Sequence, residues 1–182
     1  MTRAVVFAYH DVGVRCLRVL LAQGVEVPLV VTHEDAAGEQ IWFDSVSRHA
    51  RWHGLAVATP PDPNTPEFLA RVRAARPDFL FSFYYRHLLG GALLALAARG
   101  AFNMHGSLLP KYRGRVPVNW AVLRGEVETG ATLHEMTVRP DAGGIVASQA
   151  VPILPDDTAI EVFRKVSVAA ELTLFAALPA LL

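Results

Sequence analysis

The sequence is poor in the features that mark secreted and membrane proteins. Cys16 is the only cysteine among 182 residues, so no disulfide can form within the chain, which is typical of a reducing compartment. The polar segment Tyr9-His10-Asp11 interrupts the N-terminal apolar run too early for a signal peptide. No apolar run reaches the roughly 18 residues that a membrane span requires. We therefore expect a cytoplasmic protein with no membrane span.

The sequence also lacks an excess of charge of either sign, and it lacks the common nucleotide-binding motifs. The 17 Lys and Arg residues balance 17 Asp and Glu residues, so there is no electrostatic reason to expect a nucleic-acid partner. The turn after the first predicted strand reads Tyr9-His10-Asp11-Val12-Gly13 instead of G-x-G-x-x-G, and no Walker-type loop occurs. These absences argue against a dehydrogenase and against a P-loop enzyme.

The chain does contain an alternation of strand and helix patterns. Strands are predicted at 4–8, 25–32, 55–59, 78–85 and 101–105, and helices at 14–22, 41–52, 66–75, 90–100 and 117–124. Thr65 is the predicted N-cap of the helix at 66–75, with Pro66 as its first residue. An extended segment at 129–137 and a strand at 145–153 follow. Thr158 and Glu161 have the spacing of a capping box, which predicts a long helix from there to Leu182. Pro28 places the second strand at an edge or an irregular position, and residues 33–40 form a polar loop. The alternation predicts an α/β fold: an open, mostly parallel, Rossmann-like sheet with helices on both faces, in one domain of residues 1–182.

Asn103 and His105 are the strongest chemical signal in the sequence. They stand two residues apart at the end of the fifth predicted strand, so both side chains point to the same side. An amide donor can polarise a carbonyl oxygen while an imidazole moves a proton, which is half of an acyl-transfer site. Ligands of such sheets bind beyond the carboxyl ends of the strands, where this pair lies. The alternative is a strand end whose polar residues only cap the sheet.

Other polar residues fit a structural role when they are taken singly. His49 and His53 lie in the last turn of a predicted helix with no third ligand nearby, so we predict no metal site. His134 is a lone histidine, and Ser107 suits a turn because no G-x-S-x-G elbow surrounds it. Asp141 is either a turn residue or a carboxylate that orients His105 and raises its pKa.

Four separated motifs resemble the folate-dependent formyltransferases. They are Asn103-x-His105, then Ser107-Leu108-Leu109-Pro110-x-Tyr112-Arg113-Gly114, then Thr129-Gly130-x-Thr132, and finally Asp141-x-Gly143. Within that family the resemblance is greatest to the domains that formylate UDP-4-amino-4-deoxy-L-arabinose in lipid A modification and polymyxin resistance. The stretches that carry it are 5–11, 81–88 and 101–115.

The resemblance implies an enzyme, a donor and a set of site residues. The donor is 10-formyltetrahydrofolate, and the acceptor is the primary amine of a sugar nucleotide. His105 looks like the proton-transferring residue, Asn103 like the group that steadies the tetrahedral intermediate, and Asp141 like the carboxylate that raises the histidine pKa. Pro140 departs from the family pattern. A proline has no backbone N–H, so this position cannot donate a hydrogen bond to the folate. The implied donor-binding residues are His87, Leu88, Leu89, Arg115, Thr137, Val138, Arg139, Pro140 and Asp141.

The sequence leaves other functions open besides the formylation of a sugar nucleotide. Methionyl-tRNA formylation and formyltetrahydrofolate hydrolysis use the same chemistry, and a weakly active folate- or nucleotide-binding module belongs to a different class. The family usually continues into a small C-terminal β domain, which we expect to be absent here. The apolar end of the chain, residues 172–182, is either a face that such a domain would cover or an interface with an oligomer partner.

Overall fold

The computed structural model describes residues 1–35, 38 and 40–182. The described residues form seven strands and six helices. The strands are β1 (Arg3–Ala8), β2 (Glu26–Val31), β3 (Val57–Ala58), β4 (Phe79–Phe83), β5 (Gly100–His105), β6 (Glu128–Glu135) and β7 (Ile145–Pro152). The helices are α1 (His10–Ala22), α2 (Val46–Trp52), α3 (Pro66–Ala74), α4 (Gly91–Leu94), α5 (Pro117–Leu123) and α6 (Ala159–Leu181).

The chain divides into two compact units, Met1–Phe102 and Asn103–Leu182. In the first unit the strands lie in the order β3-β2-β1-β4, and all three pairings are parallel. β1 and β4 consist almost wholly of buried apolar residues, as expected of strands that are covered on both sides. The predicted class, an open and mostly parallel Rossmann-like sheet, is confirmed.

The second unit carries the predicted catalytic residues. β6 lies between β5 and β7 and pairs with β7 in the antiparallel sense. The long helix α6 packs against both β6 and β7. Gly130 of β6 allows the close approach of β7, because a Cβ atom there would lie 2.1 Å from the carbonyl oxygen of Gln149.

Two predicted helix starts are confirmed by their capping contacts. Thr65 accepts a hydrogen bond from the backbone N–H of Phe68, and Pro66 is the first residue of α3. Thr158 and Glu161 form the predicted capping box before α6. No helix among the described residues is both long and apolar enough to cross a bilayer.

Three predicted helix boundaries were wrong. α1 begins at His10 instead of residue 14, because Gly13 N–H already bonds to the carbonyl of Tyr9. α2 begins at Val46 instead of residue 41, because the Ser45 hydroxyl caps it by accepting from Arg48 N–H. α4 ends at Leu94 instead of residue 100, because the backbone of 98 and 99 bonds to the carbonyls of 77 and 78 and leads the chain into β5.

Pro28 lies at an irregular point of an inner strand, which is one of the two predicted positions. β2 pairs with β1 on one side and β3 on the other, so it is not an edge strand. The β1–β2 register shifts between the pairs Arg3–Glu26 and Val5–Leu29, so the proline stands within this irregularity. Of the predicted loop 33–40, residues 36, 37 and 39 lie outside the described residues.

Candidate active site

Asn103 lies on β5 and contacts His134, a residue that fits a structural role when it is taken singly in the sequence. The Nδ2 atom of Asn103 is 3.1 Å from Nε2 of His134 on β6. The Nδ1 atom of His134 is 2.7 Å from the carbonyl oxygen of Glu135. A carbonyl oxygen only accepts, so Nδ1 of His134 carries the proton in this contact. In the neutral ring Nε2 then accepts a hydrogen bond from the Asn103 amide.

His105 is held by a backbone carbonyl and is almost fully buried. Its Nε2 atom lies 2.8 Å from the carbonyl oxygen of Tyr112, so Nε2 carries the proton and Nδ1 has the free lone pair of the neutral ring. The residue is only 6% exposed. Burial lowers the pKa of His105 below its ordinary value, even though the Asp141 charge and the Tyr112 carbonyl act to raise it. The predicted influence of Asp141 is present, but the net shift is opposite to the one expected because desolvation outweighs it.

Asp141 stands between the two histidines. Its Oδ1 atom is 3.6 Å from Nδ1 of His105 and 3.5 Å from Nε2 of His134. Its Oδ2 atom accepts a hydrogen bond of 2.8 Å from the backbone N–H of Gly114. Burial raises the pKa of Asp141, but the two histidines and the Gly114 N–H outweigh burial and hold the pKa below its usual value. The carboxylate is therefore charged at neutral pH, and a charged Oδ1 faces Nδ1 of His105.

The turn that follows β5 is fixed by three hydrogen bonds of two side chains. The Ser107 hydroxyl donates to the carbonyl of Lys111 at 2.6 Å, which confirms its predicted role in turn geometry. The Thr132 hydroxyl donates to the carbonyl of Ser107 at 2.7 Å and accepts from Leu109 N–H at 3.2 Å. These bonds shape the segment that presents the Tyr112 carbonyl to His105.

A second set of contacts holds Tyr112 itself. Its hydroxyl donates to Oε1 of Glu126 at 2.7 Å, while Lys111 Nζ lies 3.0 Å from Oε2 of the same carboxylate. Tyr112 also has a positive φ of 55°, a conformation that a residue with a side chain adopts only when its surroundings enforce it. Glu126 is therefore a remote support of the His105 position.

The predicted donor-binding residues fall into two groups. In the second unit, Arg115 and residues 137–140 are exposed, with Val138 78% exposed. The Thr137 hydroxyl bonds to the carbonyl of Arg139 within that loop. In the first unit, His87 and Leu88 are exposed, whereas Leu89 is buried. Leu89 therefore offers little surface to a ligand.

The sequence interpretation missed His134 and the function of Thr132. Both lie on β6 two residues apart, so their side chains point to one side of the strand, as Asn103 and His105 do on β5. Thr132 bonds to the turn after β5, and His134 bonds to Asn103. The spacing of Thr132 and His134 was a usable signal, but it has meaning only when β6 is known to lie beside β5.

A comparison with known protein families decides the family. Residues 18–178 match the formyl transferase domain. The chain belongs to the formyl transferase family. The Asn103, His105 and Asp141 cluster lies within the matched part of this formyl transferase.

Solved structures show the same fold over nearly the whole chain. The phosphoribosylglycinamide formyltransferase from Bacillus halodurans superposes with a TM-score of 0.84 at 24% identity, covering 99% of this chain and 95% of that chain. An N-formyltransferase from Helicobacter canadensis, in complex with folinic acid and dTDP-3-aminofucose, has a TM-score of 0.75 at 22% identity and covers 100% and 64%. A formyltetrahydrofolate deformylase from Pseudomonas syringae has a TM-score of 0.80 at 24% identity and covers 97% and 60%. At these identities the likeness establishes the formyltransferase fold and leaves the acceptor open.

Proposed function

We propose that this formyl transferase moves a formyl group from 10-formyltetrahydrofolate to the primary amine of a sugar nucleotide. UDP-4-amino-4-deoxy-L-arabinose is the acceptor that the resemblance at 5–11, 81–88 and 101–115 favours. The proposal treats residues 1–182 as one catalytic domain, working in the cytoplasm. The observation that carries it is the arrangement of an amide, a buried imidazole and a charged carboxylate on adjoining elements of the second unit.

His105 is suited to act as the general base at Nδ1. Nε2 is occupied by the Tyr112 carbonyl, so the free lone pair of the neutral ring is on Nδ1. Because burial lowers its pKa, the imidazole is mostly neutral at neutral pH and can accept a proton. His105 takes that proton from the attacking amine, and Asp141 Oδ1 then faces the new Nδ1–H across 3.6 Å. His105 later releases the proton to the leaving nitrogen.

Asn103 is suited to stabilise the oxygen of the formyl group while it gains negative charge. One hydrogen of its amide nitrogen bonds to His134, and the second is the one that we assign to the substrate oxygen. A single donor of this kind typically contributes about 3 kcal/mol to transition-state stabilisation. Asp141 acts through His105 by stabilising the imidazolium.

The residues expected to hold the donor are those that the family resemblance implies. When bound, the folate supplies the activated formyl carbon. Leu88 of the first unit is 72% exposed and Val138 of the second unit is 78% exposed, so each side chain is accessible to a ligand. Residues 137–140 are exposed, and Pro140 has no backbone N–H to donate to a ligand.

The support for a sugar nucleotide comes from two sources. The stretches 5–11, 81–88 and 101–115 resemble the domains that act on UDP-4-amino-4-deoxy-L-arabinose. Among proteins of the same fold, the Helicobacter canadensis enzyme is complexed with an amino-sugar nucleotide. Methionyl-tRNA is less favoured, because the balanced charge of the chain offers no general attraction to nucleic acid.

A hydrolase is the second candidate, favoured by the likeness to the Pseudomonas syringae deformylase. The same base would then activate water in place of an amine. Mass spectrometry separates these functions when the purified chain is given 10-formyltetrahydrofolate with UDP-4-amino-4-deoxy-L-arabinose, glycinamide ribonucleotide, dTDP-3-aminofucose, charged initiator tRNA or no acceptor. Formylated UDP-sugar supports the proposal. Formate released without acceptor, or preferential formylation of another amine, contradicts it.

A further inference from the structure

His134 occupies the space between the Asn103 amide and the end of β6. It is 1% exposed, and both of its ring nitrogens have a polar neighbour. Nδ1 is 2.7 Å from the carbonyl oxygen of Glu135, and Nε2 is 3.1 Å from Nδ2 of Asn103. A buried imidazole with both nitrogens in such contacts has little rotational freedom.

The partners of His134 determine which nitrogen carries the proton. The Glu135 carbonyl can only accept, so Nδ1 donates to it, and Nε2 of the neutral ring is an acceptor. An acceptor at Nε2 attracts the NH2 end of the Asn103 amide and repels its oxygen end. The neutral ring therefore distinguishes between the two orientations of an amide that differ by a half-turn.

We propose that His134 is a positioning residue, which as the neutral Nδ1–H tautomer fixes the Asn103 amide with its nitrogen as the group offered to the substrate oxygen. This assignment rests on the proposed function, because it acts on the donor that the transfer step uses. With the amide reversed, its oxygen would face the developing negative charge and would oppose the reaction. Preorganised donors of this kind are a main source of rate enhancement in acyl transfer.

The backbone around Glu135 keeps the carbonyl that bonds to His134 in place. The N–H of Glu135 bonds to the carbonyl of Gly144 at 2.8 Å. The chain at Gly143 passes so close that a Cβ atom there would lie 2.0 Å from the Glu135 carbonyl oxygen. The carbonyl that accepts the hydrogen bond from Nδ1 of His134 is thus held by its surroundings.

A protonated His134 ring, stabilised by Asp141, is the state that competes with the proposed neutral tautomer. Its Oδ1 atom is 3.5 Å from Nε2 of His134, so a protonated ring would direct an N–H at the carboxylate. Nε2 could then no longer accept from Asn103, and the amide would lose its orienting partner. The two states therefore differ at Nε2 of His134, which carries no proton in the proposed tautomer and carries one in the imidazolium.

Nitrogen NMR of the imidazole tests the tautomer without any substrate. We expect the His134 signals, assigned by their loss in His134→Gln, to report a protonated Nδ1 and an unprotonated Nε2 at neutral pH. We also expect the Asn103 side-chain NH2 signals to shift in His134→Leu. An Nε2–H tautomer or an imidazolium at neutral pH would overturn the proposal, whatever the enzyme's acceptor proves to be.

Kinetics test the consequence for catalysis. His134→Leu removes the acceptor, and we expect kcat to fall roughly ten- to a hundredfold, as misplacement of a reacting group does, with KM little changed. His134→Gln offers an amide oxygen to Asn103 and should recover much of the loss. His49→Leu is the control, because it removes a histidine that bonds to Asp44 in the first unit, and its kcat should stay at the wild-type value. An unchanged kcat in His134→Leu contradicts the role.

A double-mutant comparison separates positioning from general support of the fold. If His134 acts through Asn103, His134→Leu should cause little further loss in an Asn103→Ala background. A full additional loss would show a merely structural effect and overturn the proposal. Wild-type enzyme that turns over no acceptor and releases no formate contradicts the proposed function instead, and the NMR measurement still decides the tautomer.

Discussion

The Nδ1 atom of His105 lies 3.6 Å from Oδ1 of Asp141, while Nε2 of the same ring is held 2.8 Å from the Tyr112 carbonyl. The backbone thus leaves the lone pair of the neutral ring on the nitrogen that faces the carboxylate. A proton taken at Nδ1 forms an imidazolium beside a negative charge, and a proton at Nε2 never has to leave. This arrangement gives the pair different tasks: His105 moves the proton, and Asp141 stabilises it after transfer.

The pH dependence of turnover follows from the His105 environment. Burial lowers the pKa of His105, so the acidic limb of kcat/KM should lie below the ordinary imidazole value of about 6.5. The Asp141 charge acts to raise that pKa, so Asp141→Asn should move the limb to still lower pH while kcat falls. A limb that moves to higher pH in Asp141→Asn would contradict the assigned pair. The measurement is kcat/KM across pH for both proteins.

Two threonines of β6 should respond differently to the same substitution. Thr132 makes two hydrogen bonds to the turn after β5, so Thr132→Val should lower the free energy of unfolding by roughly 1–3 kcal/mol. The buried Thr129 hydroxyl has no hydrogen-bond partner among the described residues, so Thr129→Val should cause no loss or a small gain. Chemical denaturation of both variants measures the difference. Equal losses would show that β6 tolerates neither change for reasons of packing.

Neighbouring glycines offer a matched test of the loop after β6. A Cβ atom at Gly143 would lie 2.0 Å from the Glu135 carbonyl oxygen, whereas one at Gly144 would meet nothing closer than 3.5 Å. Gly143→Ala should therefore lower stability by roughly 1–3 kcal/mol through overpacking and also reduce turnover, while Gly144→Ala should be nearly neutral. Thermal unfolding and kcat are the measurements. Equal tolerance of both changes would mean that the loop is not fixed as described.

The support of Tyr112 by Glu126 should be visible in turnover. Tyr112→Phe keeps the carbonyl that holds His105 but loses the bond of the hydroxyl to Glu126, so we expect kcat to fall several-fold. Lys111→Met removes only the ion pair of an exposed side chain with the same carboxylate, and exposed pairs contribute little. Steady-state kinetics of the two variants gives the comparison. A larger loss in Lys111→Met than in Tyr112→Phe would contradict the tethering role.

Local signals predicted those parts of the fold that local interactions decide. The cap of α3 by Thr65 and the capping box of α6 depend on side chains within four residues, and both were predicted. The start of α2 was missed because Ser45 stops a helical pattern that continues N-terminal to it. The end of α4 was missed because distant backbone groups at 77 and 78 draw residues 98 and 99 away.

The site residues also fall into those that the sequence predicts and those that only the folded structure reveals. Asn103 and His105 are visible as a pair because they share one strand, and their proximity to Asp141 was anticipated through family resemblance. His134 is invisible in the sequence as a partner of Asn103, because 31 residues separate the two and only the pairing of strands brings them together. The net direction of the His105 pKa shift was also beyond sequence reasoning, since burial decides it.

The most direct test of the central claim is a single-turnover measurement of formyl transfer from 10-formyltetrahydrofolate to UDP-4-amino-4-deoxy-L-arabinose. It compares the wild type with His105→Ala and Asn103→Ala. His49→Ala serves as the control for removal of a histidine elsewhere, and circular dichroism checks that each variant is folded. The account predicts that His105→Ala and Asn103→Ala each lose roughly a hundredfold or more in rate, while His49→Ala keeps the wild-type rate. A folded His105→Ala or Asn103→Ala enzyme with a near-normal rate would contradict the assignment of the site.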